Sequence, residues 1–364
     1  MKPYILLTPG PTPIPDEVLR ALARPIIHHR TEEFGRLFET LLEDLRYALR
    51  TKNRVLILTS SGTGAMESAV ANLLSPGDKA VVHAAGLFGD RFAEIVRAYG
   101  LSPVVIGEEW GHAASPEKLG AALKAHPDAK VVLLQHADTS TGIVNDLQSL
   151  SCVVRAESDA ILVVDAISGL GGEPLETDSW GLDVVLSASQ KALMNAPGLA
   201  FMAVSDRAWR LVETATLPRY YFDWRMMARS VPERETPFTP AVALVAAQVE
   251  ALGLIRAEGI ENVWKRTAGL ARYARERGRE LGLELYPKDP CNILSAFRLP
   301  AGLDGNKLVK DILREGRISI AGGQGPLKGR IIRVAHMGHI RKPDLDAGFE
   351  ALSKRIPSGA RKPR

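Results

Sequence analysis

The sequence predicts an α/β fold in which a large domain with a mostly parallel sheet is followed by a smaller α+β C-terminal domain. From residue 55 onward, short apolar runs alternate with segments whose apolar residues recur every three or four positions, which is typical of alternating strands and helices. Several runs, such as residues 161–165, are nearly continuous, which indicates strands buried on both faces. After Phe201 the alternation stops, and a long connection rich in proline and aromatic residues leads into a second pattern of helices and strands.

The N-terminal segment is predicted to be an extended arm over residues 1–20. Residues 8–15, TPGPTPIP, hold four prolines and a glycine, a composition that favours a polyproline-like path over a helix or a central strand. Such an arm either frays or lies on another surface. Helical spacing then predicts helices at residues 16–22 and 32–49. The adjacent His28 and His29 are interpreted as loop residues, because no third metal ligand is nearby.

The large domain is expected to span residues 21–258. Its predicted strands are residues 55–59, 79–83, 103–106, 130–135, 161–165 and 184–186. The helices predicted between them are residues 63–74, 88–99, 116–126 and 147–158. Because ligands of parallel sheets bind beyond the carboxyl ends of the strands, functional side chains are expected at that edge.

The smaller domain is expected to span residues 259–364, with its boundary in a long helical region near residue 260. Helical periodicity covers residues 241–257 and 262–281. Beyond this region the pattern predicts a strand, a helix, a strand and a last helix, at residues 292–298, 305–314, 330–334 and 342–355.

Composition is that of an ordinary globular protein and narrows the expected partners. The formal net charge is +4, but acidic and basic residues are interspersed, and only the tail at residues 361–364 is purely basic, as expected of a frayed terminus. No nucleic-acid-reading motif accompanies the charge, so nucleic acid is not an expected partner.

Two distant cysteines fit neither a disulfide framework nor a zinc site. With no recognisable signal peptide or membrane span, a cytoplasmic protein without a membrane partner is expected.

Lys191 is the first candidate for chemistry. It follows the predicted strand 184–186 and the small polar residues 187–190, and an Ala-Pro-Gly turn comes after it. Desolvation at the end of a buried strand lowers the pKa of an amine, which makes that amine a nucleophile toward carbonyl groups. For Lys191 taken alone, a solvated loop lysine is the alternative.

Two further features lie at predicted strand ends. Residues 59–64, TSSGTG, close a strand and open a helix, so their amides and hydroxyls can cradle a phosphate; simple packing is the alternative. The segment is neither G-x-G-x-x-G nor a Walker loop, so a dinucleotide or a nucleoside triphosphate is not indicated. Asp165 ends a buried strand, where its carboxylate needs a partner such as a protonated pyridine nitrogen. An N-cap or a core salt bridge is the alternative for Asp165.

Phe88, Thr139 and Arg333 complete the set of candidates. Phe88 starts a helix beyond a strand end and offers a flat face for stacking, while Thr139 offers a hydroxyl where the next strand ends. Either residue could instead belong to the core or to a turn. Arg333 lies within the apolar run 331–334, where its planar guanidinium suits a carboxylate ligand, with an internal salt bridge as the alternative.

A lysine, a strand-end aspartate, a phosphate cup, a stacking aromatic ring and an arginine for carboxylates together match what pyridoxal phosphate requires. Five segments closely resemble the class V aminotransferases of the serine-pyruvate/alanine-glyoxylate group: TSSGTGAMES, LVVDAISGLGG, SASQKALMNAPGLAF, ETPFTPAV and RIIRVAHMG. That group is a branch of fold type I of the pyridoxal phosphate enzymes. The resemblance runs from LTPGPTPIP to the last predicted helix, so it covers nearly the whole chain.

The resemblance implies that Lys191 forms a Schiff base with pyridoxal phosphate and later moves a proton between the substrate and the cofactor. Asp165 would pair with the pyridine nitrogen, and Phe88 and Ile167 would lie against the two faces of the ring. Arg333 would bind the substrate carboxylate. Further residues would hold the rest of the cofactor: Ser61, Gly62, Thr63 and Gln190 at the phosphate, and Thr139 near the ring hydroxyl.

The resemblance also implies a homodimer with shared active sites. In this family Thr236 and Thr239 would belong to a loop that reaches the phosphate of the neighbouring subunit. The implied reaction is transamination from a small amino acid, alanine or serine, to a 2-oxo acid, glyoxylate or pyruvate. No metal ion is implied.

Three departures from the family pattern bear on the substrate more than on the reaction. Phe88 stands where close relatives often have tryptophan, an exchange that preserves stacking. Asp138 replaces a common glutamate. Val334 and Ala335 replace the usual Ile-Gly after the arginine, which is expected to alter the shape of the substrate pocket.

Two other classes of function compete with transamination. Class V chemistry also includes cysteine desulfuration, kynurenine hydrolysis and aminoethylphosphonate transamination. A desulfurase needs a reactive cysteine on a loop of the smaller domain, and residues 321–325 hold none. A non-catalytic homologue acting as a binding protein is disfavoured, because Lys191, Asp165 and Arg333 are all present.

Overall fold

The structure is a computed structural model that describes residues 4–357. The basic tail at residues 361–364, expected to fray, lies outside the described residues. Each predicted helix and strand is present with ends within two residues of those expected. In the described part of the chain, no helix is long and apolar enough to cross a membrane.

Strands and helices follow one another along most of the chain. The strands are β1 (Ile5–Leu7), β2 (Arg54–Thr59), β3 (Lys79–Ala84), β4 (Val104–Gly107), β5 (Ala129–Gln135), β6 (Ala137–Asp138), β7 (Ile143–Val144), β8 (Ile161–Asp165), β9 (Val184–Ala188), β10 (Leu199–Val204), β11 (Glu284–Leu285), β12 (Leu294–Arg298), β13 (Ile318–Gly322) and β14 (Ile331–Ala335). The α-helices are α1 (Asp16–Leu22), α2 (Glu32–Leu49), α3 (Gly62–Leu73), α4 (Leu87–Ala98), α5 (Pro116–Ala125), α6 (Leu147–Glu157), α7 (Asp206–Thr214), α8 (Trp224–Ser230), α9 (Val242–Glu258), α10 (Ile260–Glu280), α11 (Gly305–Gly316) and α12 (Lys342–Ser353). A short 3-10 helix spans Gly325–Leu327.

The larger sheet has seven strands in the order β2-β10-β9-β8-β5-β3-β4. Only β10 runs antiparallel to its neighbours, so the prediction of a mostly parallel sheet is confirmed. The sequence reading missed β10, because it ended the strand pattern at Phe201, in the middle of the apolar run Leu199–Val204. With β10 inserted between β2 and β9, the turns after β2 and β9 emerge from the same edge of the sheet.

Both faces of the larger sheet are covered. Along β5, Val132 and Leu134 pack into the apolar cluster that contains α2 and α9, while Val131 and Leu133 pack into the cluster that contains α3, α4 and α8. This alternation explains why the strands read as continuous apolar runs. Polar side chains are therefore concentrated beyond the strand ends.

The smaller sheet has five strands in the order β1-β13-β14-β12-β11. Its strand β1 comes from the N-terminus and pairs parallel with β13, a connection that the sequence reading did not predict. The predicted boundary near residue 260 falls at Gly259, where α9 ends and α10 begins with a backbone φ of 86°. We retain residues 21–258 and 259–364 as the proposed domains, with residues 5–7 belonging to the smaller sheet.

The proline-rich segment after β1 lies against the larger part of the chain. Residues 8–15 contain neither helix nor strand, as expected of an extended arm. The Thr12 amide donates to the Gln190 carbonyl at 3.2 Å, and the Thr12 hydroxyl donates to the Lys191 carbonyl at 2.7 Å. Of the two outcomes left open, fraying or lying on another surface, the arm takes the second.

We predict that Leu7→Ala lowers the free energy of unfolding by about 2–5 kcal/mol, since truncating a buried leucine leaves a cavity. Leu7 is 0% exposed and packs with the smaller sheet and against Gly348 of α12. Urea denaturation measures the change. Leu19→Ala, at a leucine that is 46% exposed, is the matched control and should change stability by less than about 0.5 kcal/mol. A loss of stability in Leu7→Ala as small as that expected for Leu19→Ala would show that β1 does not support the fold.

Candidate active site

The carboxyl ends of the parallel strands open into a cavity of about 160 Å³. The turns after β2 and β8 and the segment after β9 meet there, as expected for this edge of an α/β sheet. Eight of the residues singled out from the sequence line the cavity: Ser61, Gly62, Thr63, Phe88, Asp165, Ile167, Gln190 and Lys191.

The Lys191 amine lies in this cavity and is largely removed from water. Its Nζ donates a hydrogen bond to the Pro9 carbonyl at 2.5 Å. Burial lowers the pKa of the amine to about 8, with Asp165 opposing the shift and with Arg333 and Arg91 adding to it. Lys191 is therefore not a solvated loop lysine. A substantial neutral fraction near pH 8 allows the amine to act as a nucleophile or as a base.

The Asp165 carboxyl is buried at the end of β8. Its Oδ1 accepts the Ile167 amide at 2.9 Å. Burial raises the pKa of this carboxyl to about 7, the negative charge of Asp138 adds to the rise, and Lys191 and Arg91 oppose it. Within residues 4–357 no cationic side chain lies within 4.0 Å of the Asp165 carboxyl, so Asp165 takes part in no core salt bridge. Asp165 is also not the N-cap of any helix in this part of the chain. The carboxyl thus has capacity for a cationic partner.

The turn between β2 and α3 forms the cup that the sequence predicted. Ser61 is the N-cap of α3, its side chain caps no amide, and the first turn of the helix holds no acidic residue. The amides of Gly62 and Thr63 at the helix start have no carbonyl within the helix to bond. A Cβ on Gly62 would lie 2.7 Å from the Ile167 side chain, so glycine is needed for the close approach of these two cavity walls.

Phe88 is fixed by hydrogen bonds at the start of α4. The Phe88 amide donates to Asp138 Oδ2 at 3.0 Å, and the Leu87 amide donates to the Ser140 hydroxyl oxygen at 3.0 Å. Asp138 also accepts the Ser140 amide at 2.8 Å. The end of β6 and the turn after it therefore hold the first residues of α4, and with them the aromatic ring, at the cavity wall.

Arg333, on β14 of the smaller sheet, is only 6% exposed. Its Nε donates to the Gly322 carbonyl at 2.9 Å, and its Nη1 donates to the Thr139 carbonyl at 2.6 Å. Burial lowers the pKa of the guanidinium to about 10, with the charge of Asp138 opposing the shift. In the described part of the chain no carboxylate lies within 4.0 Å of it, so the internal salt bridge left open by the sequence does not form. The positive charge is thus buried without a counter-ion.

The comparison with known proteins agrees with this geometry. The family model described as Aminotransferase class-V matches residues 5–335. The chain belongs to the class V aminotransferase family. Its central sheet and its likeness to solved aminotransferases identify the fold as type I.

Three proteins that are similar to this chain carry different names. The chain is 40% identical to the small subunit of a soluble hydrogenase from Synechococcus sp. strain PCC 6716, with 96% of this chain and 91% of that protein covered. It is 34% identical to an L-aspartate–glyoxylate aminotransferase from Paracoccus denitrificans, with 92% and 86% covered. The crystal structure of an alanine–glyoxylate aminotransferase from Nostoc sp. superposes with a TM-score of 0.94 at 32% identity, covering 97% of this chain and 95% of that one.

The residues of this aminotransferase fit pyridoxal phosphate, the cofactor that membership of the family implies. Gln190 lines the same cavity as the cup, and its side-chain amide nitrogen is a donor that suits a phosphate. The Asp165 carboxyl lacks a cation, and the Lys191 amine is partly neutral. A phosphate, a pyridinium nitrogen and an aldehyde are the matching groups. Among residues 4–357, no group of three or more His, Cys, Asp or Glu side chains is arranged to hold a metal ion.

Several residues named from the sequence do not line this cavity: Thr139, Arg333, Thr236, Thr239, Val334 and Ala335. The Thr236 and Thr239 side chains line a different, small cavity, and the Thr236 hydroxyl donates to the Phe238 carbonyl at 2.7 Å. The single chain therefore does not bring these threonines to Lys191. Val334 and Ala335 are buried in the apolar core of the smaller sheet, and their expected effect on the shape of the substrate pocket stays a prediction.

Sequence reasoning missed two contributors to the aminotransferase site. The first is the N-terminal arm, where a Cβ on Gly10 would overlap the Lys191 side chain and where φ is +129°, so that glycine is strongly favoured. The second is Arg91, which lines the cavity one helical turn after Phe88. Following the exposed face of α4 from Phe88 would have found Arg91, since residues three apart lie on the same helix face. The arm carried no such signal, because its contact with Lys191 spans 182 residues.

We predict that the neutral form of Lys191 appears with a midpoint near pH 8 in the protein freed of cofactor, because burial lowers the pKa of the amine. Labelling with an amine-specific reagent across pH, followed by peptide mass spectrometry, measures the midpoint. In Asp165→Asn the midpoint should move to lower pH, since Asp165 stabilises the charged amine. A midpoint above about pH 10, the ordinary range of lysine, would contradict the burial of the amine.

Proposed function

We propose that this aminotransferase moves the amino group of a small amino acid, alanine or serine, to glyoxylate or pyruvate with pyridoxal phosphate as its cofactor. The observation that carries the proposal is the cavity that combines the partly neutral Lys191 amine, the unpaired Asp165 carboxyl and the cup at residues 61–63. Glyoxylate as acceptor is supported by the names of the Paracoccus and Nostoc proteins, which differ in their amino donors.

The mechanism assigns a separate task to each side chain. Pyridoxal phosphate, when bound, supplies an electron sink for the substrate α-carbon. The Lys191 amine takes the proton from the α-carbon and returns one, a role that its pKa of about 8 suits near neutral pH. The Asp165 carboxyl ionises when a positive ring nitrogen is its neighbour, because an opposite charge lowers the pKa of a carboxyl. Phe88 and Ile167 confine the ring between two apolar walls.

Arg333 is the proposed anchor for the α-carboxylate of both substrates. Two backbone carbonyls orient its guanidinium, and no protein carboxylate neutralises it within residues 4–357. A charge buried in this way binds an anionic ligand strongly, since the desolvation of the guanidinium is already complete. Both the amino acid and the 2-oxo acid carry such a carboxylate.

The cysteine chemistry of a desulfurase finds no support in this chain. Cys291 is buried before β12, and burial raises the pKa of its thiol to about 12, so the thiolate is scarce. Cys152 is exposed on α6, away from the cavity lining. The proposed reaction therefore remains transamination.

A homodimer in the cytoplasm is part of the proposal. Thr236 and Thr239 lie on the loop before α9 and away from the Lys191 cavity of their own chain, which fits a role at the phosphate of a second subunit. Two measurements test this arrangement. The first is the affinity of Thr239→Ala for the cofactor, and the second is the oligomeric state of the protein across dilution.

We expect Lys191→Ala to abolish transamination and borohydride to fix the cofactor covalently in the wild type but not in the variant. The reason is that Lys191 is the amine in the cavity that binds the aldehyde and moves the proton. Absorbance, peptide mass spectrometry and steady-state rates are the measurements. Lys130→Ala, at an exposed lysine at the amino end of β5, is the control and should behave as wild type. Wild-type turnover in Lys191→Ala, or a protein that never binds the cofactor, would refute the proposed function.

A panel of amino donors identifies the substrate pair. Alanine, serine and aspartate are each mixed with the loaded enzyme in single turnover, and the change in cofactor absorbance gives a rate for each donor. Glyoxylate and pyruvate are then compared as acceptors. Faster reaction with aspartate than with alanine or serine would replace the proposed donor while leaving the reaction type intact.

For Arg333→Gln, we predict that KM for both the amino acid and the 2-oxo acid rises about ten- to a hundredfold, because a charge-assisted contact with the carboxylate is lost. Steady-state kinetics with each substrate varied in turn measure the effect. Arg330→Gln, at an exposed arginine beside β14, is the matched control and should leave KM unchanged. An unchanged KM in Arg333→Gln would exclude this residue as the carboxylate anchor.

A further inference from the structure

Arg91 is a cation at the cavity wall that the proposed mechanism does not use. It lies on α4, and its guanidinium sits over the Phe88 ring with its carbon 4.8 Å from the ring centroid. Its Nη1 donates to the Thr63 hydroxyl oxygen at 3.3 Å. The guanidinium is therefore within one hydrogen-bond length of the cup at residues 61–63.

The charge of Arg91 has no acidic partner close by. Within residues 4–357 no carboxylate lies within 4.0 Å of its guanidinium, and the Thr63 contact is long for a hydrogen bond. Arginine carries five N–H donors, so most of them are available to a ligand. The first turn of α3 also lacks an acidic residue, so nothing in the cup neutralises the positive end of that helix.

We infer that Arg91 is a binding residue for the phosphate of the cofactor and neutralises part of its charge. The inference rests on the proposed function, because it takes the cup to be the phosphate site. The phosphate would then meet three kinds of donor: the amides and hydroxyls of the cup, the side chain of Gln190, and the guanidinium of Arg91. A planar guanidinium suits a phosphate, which accepts paired hydrogen bonds from it. Contact with the Phe88 ring keeps the guanidinium oriented toward the cup.

The test compares two aldehydes that differ only in the phosphate. The full chain, freed of cofactor, is titrated with pyridoxal phosphate and with pyridoxal, and absorbance gives the dissociation constant of each. Arg91→Gln removes the charge and Arg91→Lys keeps it. Arg97→Gln is the matched control, because Arg97 is exposed on the same helix outside the cavity. Circular dichroism and thermal melting verify that each variant is folded.

Arg91→Gln should weaken pyridoxal phosphate binding about ten- to a hundredfold and leave pyridoxal binding within about twofold of wild type. Arg91→Lys should lose less, and Arg97→Gln should lose nothing. Inorganic phosphate should compete with pyridoxal phosphate at constant ionic strength, and this competition should weaken in Arg91→Gln.

Two results would overturn the role of Arg91. Equal losses for both aldehydes would show that Arg91 supports the Phe88 wall and not the phosphate. Unchanged affinities for both would show that it contributes nothing to binding. Either result leaves the proposed function standing, because wild-type protein still binds pyridoxal phosphate at Lys191. Failure of the wild type to bind pyridoxal phosphate would remove the proposed function and this inference together.

Discussion

The burial of charged groups without counter-ions, at the carboxyl edge of the larger sheet and on β14 of the smaller sheet, is the constraint on which the site depends. Asp165 and Arg333 are buried and Lys191 is largely so, and none of the three has a counter-ion within 4.0 Å among the described residues. Burial shifts all three pKa values toward the neutral form, to about 8, 7 and 10 respectively. Such an arrangement is unfavourable alone and becomes favourable when a ligand supplies the missing charges. A ligand that binds only the folded chain also stabilises it.

The two sheets are linked at this edge by hydrogen bonds to backbone carbonyls. Thr12, on the arm that leaves β1 of the smaller sheet, bonds to the carbonyls of Gln190 and Lys191. From the other side, Arg333 on β14 bonds to the Thr139 carbonyl in the turn after β6. The position of the lysine and the position of the carboxylate anchor are therefore linked to the same interface. A displacement of the smaller sheet would disturb both at once.

The sequence predicted the residues that carry the chemistry better than the segments that surround them, and the reason is physical. Asp165 and Lys191 follow strands buried on both faces, and continuous apolar runs make such strand ends visible without any knowledge of packing. The strand β10 was missed because it follows a proline-glycine turn and runs antiparallel, so no helix separates it from β9. The arm and Arg91 were missed because their importance lies in contacts with distant residues, which local periodicity cannot encode.

The arrangement around Arg333 also limits where substrate selectivity can reside. Val334 and Ala335, the departures next to it, are buried among the apolar residues of the smaller sheet and do not line the cavity. Asp138 is better placed to matter, because it holds the first residues of α4 and its negative charge acts on Arg333. A glutamate there would carry one more methylene into a fully packed turn, where a Cβ on Gly86 would already meet the Asp138 carboxylate at 2.6 Å. The shorter carboxylate therefore matches the close approach of α4 to this turn.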